Sequence, residues 1–310
     1  VRLTPASADA SFRRYFRVAT NTGTAIVMDA PPSQEDCRPF LRVSELLRDA
    51  GVHAPEVLAQ DLEQGFLLLT DLGTQTYLDV LDEQNADDLF GDAIDALCRW
   101  QSGSRPDILP MYDRALLRRE LNLFPEWYVA RHLGITLSHH EQETLDGVFR
   151  LLEDSALAQP QVFVHRDYMP RNLMLSTPNP GVLDFQDAVY GPLTYDVVSL
   201  FRDAFLSWDE RRVTAWCARY HEQASLAGLP VQEQVEFTRA LDWMGLQRHL
   251  KVLGIFARIN YRDGKPDYLK DTPRFLNYVR VIGARYPEFT PLLGLLDTLE
   301  RYAETAAVTI

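Results

Sequence analysis

The sequence predicts a two-lobed α+β protein, with a small β-rich N-terminal lobe that holds one helix and a large, mainly helical C-terminal lobe. Short apolar stretches separated by turn residues fill the first part of the chain. After Gly73 the apolar residues recur with helical spacing instead. A ribbon of short strand-like segments interrupts this helical part. We therefore assign residues 1–72 to an N-terminal lobe and residues 73–310 to a C-terminal lobe.

The N-terminal lobe is expected to be an antiparallel sheet with one helix. FRRYFRVA and TAIVMDA read as two strands joined by a turn at residues 21–23, and VLAQD and FLLLTDLG read as two more. Residues 34–50 between them have an amphipathic helical pattern. Ser33 is the expected N-cap of this helix, and Gly51 lies at its expected end.

The C-terminal lobe begins with helical patterns over residues 84–101, 113–133 and 139–154. The strand segments QVFVH, NLMLS and GVLDF follow. From Thr194 to the end the pattern is helical again, with breaks near residues 228–230, 263–266 and 286–287.

Composition excludes several classes of protein. The 310 residues carry a formal net charge of −13, which disfavours nucleic acid as a partner. No stretch is apolar enough to predict a membrane span or a signal peptide, and nothing indicates an obligate protein partner. Three cysteines far apart in the sequence fit a reducing compartment and predict a cytoplasmic protein: Cys37, Cys98 and Cys217.

The strand ribbon carries the strongest functional pattern, HRDYMPRN at residues 165–172 followed by LDFQD at 183–187. A hairpin between the two segments would bring Asp167, Asn172 and Asp184 together. Phosphoryl transfer needs such a set: one carboxylate to orient and deprotonate a hydroxyl, and an Asn and an Asp to hold Mg²⁺ on the phosphates. The pattern therefore indicates an ATP- and Mg²⁺-dependent kinase.

These segments resemble the aminoglycoside phosphotransferase/choline kinase branch of the protein-kinase-like fold, over nearly the whole chain. The resemblance implies that Asp167 is the catalytic base and that Asn172 and Asp184 are the metal ligands. It also implies that His165 and Asp196 brace the catalytic loop. Arg171 is a candidate for stabilising the transferring phosphoryl oxygens, or else a surface arginine.

Two other classes of protein share part of this pattern, protein kinases and pseudokinases. A protein kinase is disfavoured, because only eleven residues separate Asp184 from Asp196 and no APE sequence ends an activation segment. A non-catalytic nucleotide-binding pseudokinase is suggested by the N-terminal lobe, which has no lysine. The intact Asp167, Asn172 and Asp184 argue against it.

On the ATP side, an arginine is expected to replace the lysine that kinases carry on the third strand. Arg13, Arg14 and Arg17 are the candidates, with Glu45 as a possible partner, and strand alternation leaves open which face is used. A phosphate-covering turn is expected at residues 7–11, with Ser11 as a donor. By position, adenine is expected to contact the segment that contains Leu69, Thr70 and Asp71.

The acceptor site is expected beside Asp167. Arg248, His249 and Lys251 form a basic cluster on one helical turn, which indicates an anionic acceptor; a solvated helix face is the alternative. Glu120 and Trp127, on a helix over 118–134, are further candidates, with core packing as the alternative for Trp127.

DASFRRYFR, HRDYMPRNLM, LDFQDAVYGPLTYD and LQRHLKVLGIFAR resemble bacterial cell-wall sugar kinases. These enzymes phosphorylate N-acetylmuramate and N-acetylglucosamine at the anomeric hydroxyl. The resemblance implies a sugar 1-phosphate product and a place in peptidoglycan recycling, and another small-molecule kinase is the alternative.

Overall fold

The computed structural model describes residues 3–7, 12–20 and 23–308. Five strands form one antiparallel sheet in the order β1-β2-β3-β5-β4, and helix α1 (Arg38–Asp49) packs on it. The strands are β1 (Leu3–Ser7), β2 (Arg14–Thr20), β3 (Gly23–Asp29), β4 (Val57–Asp61) and β5 (Phe66–Thr70). The predicted sheet with one helix is confirmed.

Two details of this lobe differ from the prediction. Strand β1 was not predicted; it is an edge strand that contains Pro5, and proline is tolerated there because one side of the strand needs no ladder hydrogen bonds. Helix α1 begins at Arg38, so Ser33 is not its N-cap. Pro39 lies in the first turn, where its missing N–H costs nothing, whereas a helix from residue 34 would need that donor.

The rest of the described chain is mainly helical. Two short helices, α2 (Tyr77–Val80) and α4 (Arg114–Leu121), accompany the long helices α3 (Ala86–Ser102) and α5 (His139–Ala158). After the strand ribbon come α6 (Tyr195–Phe201), α7 (Glu210–Leu226), α8 (Gln234–Asp263), α9 (Thr272–Gly283) and α10 (Thr290–Val308). No helix in the described residues is long and apolar enough to cross a membrane.

The predicted helix over 113–133 is divided. Helix α4 ends at Leu121, and a wider π-helix follows over Phe124–His132, with Leu133 N–H bonded to the carbonyl of Tyr128. Pro125 has no N–H to donate to the carbonyl of Leu121, so a regular α-helix cannot continue through it.

The strand ribbon lies between α5 and α6. It consists of β6 (Gln161–Val164) paired with β9 (Val189–Pro192), and of β7 (Leu173–Met174) paired with β8 (Gly181–Val182). The predicted hairpin between the two motifs is therefore present. One buried apolar cluster runs from the sheet and α1 through the ribbon to α7, and a second joins α5, α8, α9 and α10.

Candidate active site

A cleft of about 1160 Å³ opens between the sheet and the helical lobe. Strands β2, β3 and β5 and helix α1 line one side, and the strand ribbon, α4 and α8 line the other. Asp167, Asn172 and Asp184 all line it. The two motifs that stood out in the sequence therefore face one cavity.

The loop after β6 is held from below by two buried side chains. The carboxylate of Asp196 accepts the backbone N–H groups of His165 (2.7 Å) and Arg166 (3.0 Å). His165 Nε2 lies 3.0 Å from the carbonyl oxygen of Leu183, and its Nδ1 accepts the N–H of Asp167 at 3.3 Å. A neutral imidazole with its proton on Nε2 satisfies both contacts.

Burial governs the ionisation of both supporting groups. It lowers the pKa of His165 to about 4, which keeps the ring neutral. It raises the pKa of Asp196 to about 7, against the stabilising backbone N–H donors.

The side chains of Asp167, Asn172 and Asp184 converge above this support. Asn172 Nδ2 donates to the backbone carbonyl of Asp167 at 2.9 Å and lies 3.4 Å from Asp184 Oδ2. The carboxylate of Asp167 receives no hydrogen bond from the residues that the structure describes. It is therefore available to accept a proton from a substrate hydroxyl.

Asp184 has a left-handed backbone conformation, with φ +62°, which is costly for a residue other than glycine. Gln186 Nε2 donates to its Oδ1 at 2.9 Å, and the ring of the next residue, Phe185, packs on Phe40 of α1 at 4.7 Å between centroids. Gln186 thus fixes the carboxylate of Asp184, and the packing of Phe185 on α1 fixes the neighbouring backbone.

The donor set fits Mg²⁺ better than a metal held by protein alone. Asn172 and Asp184 supply one amide and one carboxylate, and Mg²⁺ takes few protein ligands because it keeps waters and phosphate oxygens. Within the described part of the chain, no group of three or more His, Cys, Asp or Glu side chains could hold a metal ion.

Glu120 is the centre of a largely buried charged cluster in the wall of the cleft, which Glu120, Arg166 and Lys251 all line. Its carboxylate accepts the hydroxyl of Tyr112, and it pairs with Arg166 (2.5 Å) and Lys251 (3.0 Å). Lys251 Nζ also donates to Tyr195 at 2.8 Å. Burial disfavours the charged carboxylate, but the two cations and the hydroxyl hold the pKa of Glu120 at about 2.

Arg166 connects this cluster to the catalytic loop, because it directly precedes Asp167. Its backbone is in the left-handed region, with φ +77°. Arg171 also lines the cleft, with its guanidinium carbon 5.0 Å from the ring centroid of Phe205.

The basic cluster on α8 is buried, so the alternative of a solvated helix face is wrong. Arg248 and Lys251 line the cleft, and Arg248 Nη2 donates to Ser199 at 2.8 Å. His249 is fully buried outside the cleft lining and stacks on Tyr278 at 4.8 Å. Neighbouring side chains on a helix point in different directions, so Arg248 and Lys251 reach the cavity and His249 does not.

The other predicted acceptor residue lies elsewhere. Trp127 is half-buried against the C-terminal apolar cluster, outside the cleft lining, as the core-packing alternative expected.

The N-terminal arginines take different partners from those expected. Arg14 faces away from the cleft and pairs with Asp29, whereas Arg13 pairs with Glu35 at 3.4 Å. Arg17 faces the cleft, because strand alternation places it on the same side as the lining residue Tyr15. Glu45 is exposed on α1 and takes part in none of these three ion pairs, so the expected Glu45 pairing is wrong.

Leu69, Thr70 and Asp71 line the cleft, and their contact with adenine stays a prediction. The carboxylate of Asp71 is engaged by Arg17, with Nε 2.5 Å from Oδ2 and Nη2 3.0 Å from Oδ1. The predicted donor Ser11 lies outside the described residues.

Sequence reasoning did not single out several cleft-lining arginines, among them Arg38 and Arg42 on α1 and Arg119 on α4. Arg38 and Arg42 are four residues apart and so share a helix face, a signal that was present in the sequence. Arg38 pairs with Asp36 at 2.9 Å. Arg42 is exposed and has no ion pair or hydrogen bond with any described residue.

Comparison with solved structures supports the fold. Choline kinase LicA from Streptococcus pneumoniae superposes with a TM-score of 0.63 at 14% identity, covering 91% of this chain and 94% of that one. Aminoglycoside phosphotransferase APH(2'')-Ib with ADP bound gives a TM-score of 0.59 at 15% identity over 91% and 94% of the two chains.

Comparison of sequences gives much nearer relatives. Proteins named N-acetylmuramate/N-acetylglucosamine kinase are 60% identical in Pseudomonas putida (96% of this chain, 88% of the relative) and in Pseudomonas aeruginosa (97% and 90%). A protein of the same name from Neisseria meningitidis is 49% identical over 96% and 90% of the two chains. The model of the phosphotransferase enzyme family matches residues 2–233. With its catalytic motifs on one cleft and this match over most of its length, the chain belongs to the phosphotransferase enzyme family.

Proposed function

We propose that this protein is an ATP-dependent sugar kinase that phosphorylates the anomeric hydroxyl of N-acetylmuramate and N-acetylglucosamine to give the sugar 1-phosphate, in peptidoglycan recycling. The convergence of Asp167, Asn172 and Asp184 on one cleft is the observation that carries the proposal. Relatives at 60% identity with this pair of substrates in their names support the choice of acceptor.

Asp167 acts as the general base. Its carboxylate takes the proton of the sugar 1-hydroxyl while the oxygen bonds to the γ-phosphorus of ATP and the bond to the ADP oxygen breaks. Asn172 and Asp184 are the residues that would hold Mg²⁺, which neutralises phosphate charge when bound. Arg171, stacked on Phe205 in the cleft, is placed to offset charge on the transferring phosphoryl group.

On the ATP side, Arg42 is the candidate to replace the missing lysine. It projects into the cleft from α1 and has no counter-ion among the described residues, whereas Arg17 is held by Asp71. The segment from Leu69 to Asp71 is assigned to the adenine side. An arginine suits this role, because its guanidinium group can bind phosphate oxygens through two parallel hydrogen bonds.

On the acceptor side, Arg248 and Lys251 lie at the cleft wall nearest the catalytic loop. Glu120 is assigned a positioning role rather than direct contact with sugar, since its oxygens are already bonded to Tyr112, Arg166 and Lys251. His249 and Trp127, outside the cleft lining, are not part of the proposed acceptor site.

The proposed setting is the cytoplasm, with a small-molecule substrate and no nucleic acid, membrane or obligate protein partner. The three cysteines are free and buried, which fits a reducing compartment. The net charge of −13 disfavours binding to phosphate backbones.

The test is turnover with Mg-ATP and acceptors of different charge: N-acetylmuramate (anionic), N-acetylglucosamine (neutral) and an aminoglycoside (cationic). Turnover of the first two with the phosphorus on the anomeric oxygen, read by ³¹P NMR, is expected. A 6-phosphate product would overturn the anomeric assignment, and turnover of the aminoglycoside alone would overturn the sugar assignment.

The role of Asp167 is tested with Asp167→Asn. Removing the general base should reduce kcat by about 10²–10⁴-fold, with ATP binding kept. As a matched control, Asp95→Asn changes an exposed acid on α3 outside the cleft lining and should retain turnover to within about threefold. An Asp167→Asn variant with near-normal kcat would remove Asp167 from the mechanism.

A further inference from the structure

One face of helix α8 lines the acceptor side of the cleft. Its cleft-lining residues recur at helical spacing: Arg248, Lys251, Val252, Ile255, Phe256, Arg258 and Ile259. Lys251 and Arg258 are seven residues apart, which is about two turns, so they lie on the same side of the helix about 10 Å apart along its axis. Cations therefore stand at both ends of a mostly apolar wall.

The inner cations belong to the reacting end of the cleft. Lys251 is fixed by Glu120 (3.0 Å) and Tyr195 (2.8 Å). Arg248 donates a hydrogen bond to Ser199. It also lies close enough to Asp196, the support of the catalytic loop, to lower the pKa of that carboxyl group. Arg248 Nε and Nη1 are buried without a partner among the described residues. Both cations lie at the end of the cleft where both proposed sugars would present the same anomeric hydroxyl.

The two sugars differ away from that hydroxyl. N-acetylmuramate carries a lactyl ether with a carboxylate on C3, and N-acetylglucosamine has a neutral hydroxyl there. A residue that distinguishes them must therefore lie away from Asp167 and must carry a positive charge that is not already neutralised. The outer part of the α8 face meets the first condition.

Arg258 meets the second condition. It is half-buried at the cleft wall, its Nε is buried without a partner, and it has no hydrogen bond or ion pair with any residue that the structure describes. The nearest acid along the helix, Asp263, is held by Arg262 through two contacts of 2.6 and 2.9 Å. A partly desolvated guanidinium without a counter-ion is a suitable binding group for a carboxylate.

We propose that Arg258 binds the lactyl carboxylate of N-acetylmuramate and so sets the preference of the enzyme for this sugar over N-acetylglucosamine. The assignment rests on the proposed function. The apolar side chains of Val252 and Ile255 lie between Arg258 and Lys251 and form the wall along which the sugar lies. Arg119, on the neighbouring helix α4, is the rival cation; it is exposed, whereas Arg258 is half-buried.

The test compares Arg258→Gln with Arg262→Gln, a matched change one turn further along α8 at an arginine that is outside the cleft lining. In Arg258→Gln, kcat/KM for N-acetylmuramate should fall about 10- to 100-fold, mostly through KM, because a charged hydrogen bond common to the ground and transition states is lost. For N-acetylglucosamine it should stay within about threefold. Arg262→Gln should change neither, and Arg258→Lys should restore part of the loss.

Equal losses with both sugars would overturn the assignment, as would a selective loss in Arg119→Gln with Arg258→Gln unaffected. A wild-type enzyme that uses neither sugar would overturn the proposed function, and this assignment with it. A wild-type enzyme that uses both sugars, combined with equal losses in Arg258→Gln, would overturn the role of Arg258 alone.

Discussion

Replacing Glu120 by glutamine tests the buried cluster beneath the catalytic loop. The change keeps the size of the side chain but removes the negative charge that pairs with Arg166 and Lys251. Both cations are largely buried at the cleft wall, so they lose their counter-ion in a place where water screens charge poorly. The variant should therefore be less stable and should hold Arg166, next to Asp167, less firmly.

The magnitude follows from the structure in two ways. The pKa of Glu120 is held at about 2, compared with 4.5 for an ordinary glutamate, and this difference corresponds to about 3 kcal/mol at pH 7. Breaking a buried ion pair by removing one partner costs about 3–5 kcal/mol. We expect Glu120→Gln to lower the free energy of unfolding by about 3 kcal/mol at neutral pH.

The assay is urea unfolding of the wild type and Glu120→Gln between pH 7 and pH 3. The folded pKa of Glu120 is depressed, so its contribution is complete above the unfolded pKa and is lost as the pH falls from 4.5 towards 2. The difference between the two proteins should shrink over that range. The exposed Glu126, six residues on, gives a matched control, since Glu126→Gln should cost less than about 0.5 kcal/mol.

A double-mutant cycle with Lys251→Met identifies the cause. If the loss comes from stranded charges, the double variant should be more stable than the sum of the single changes by at least about 1 kcal/mol. Strict additivity, or a difference between wild type and Glu120→Gln that is unchanged down to pH 3, would refute the reasoning.

Two further predictions concern stability. Burial lowers the pKa of His165 to about 4. The neutral ring therefore contributes about 3 kcal/mol to the free energy of unfolding above pH 6.5, and this contribution is lost as the pH falls through 4. The stability of His165→Gln should depend less on acid pH, whereas that of His139→Gln, a change at an exposed histidine, should match the wild type. A methyl group on Gly254 would lie 2.3 Å from the carbonyl of Leu123, so Gly254→Ala should destabilise the protein by about 1–3 kcal/mol in thermal unfolding. Gly294→Ala, with nothing within 4 Å of the added methyl, should be neutral or stabilising by up to about 1 kcal/mol, and the reverse order would contradict the packing argument.

Much of the site could be predicted because it depends on local sequence. The strand β6, the loop over 165–172 and the short hairpin before Asp184 are close in the chain, so turn residues and apolar runs suffice to bring them together. The edge strand β1 and the start of α1 were missed or misplaced because proline changes the local hydrogen bonding in a way that periodicity does not show.

The ion pairs could not be predicted, because their partners come from distant parts of the chain. Glu120 meets Arg166 and Lys251 only when α4, the loop and α8 pack together. Likewise, the basic pattern at Arg248 and His249 gave no indication of which side chain faces the cleft and which is buried in the core. Charge along a sequence does not show whether that charge is neutralised in the fold.

The sequence by itself determined the two lobes, the catalytic loop and the convergence of Asp167, Asn172 and Asp184, since these follow from periodicity and from residues close in the chain. Only the tertiary structure decided which cations are available to ligands. It pairs Lys251 with Glu120 and Arg17 with Asp71, and it leaves Arg258 at the cleft wall without a counter-ion among the residues that the structure describes. The physical reason is that the strength of a charge depends on its burial and its neighbours, and both are set by packing between distant elements.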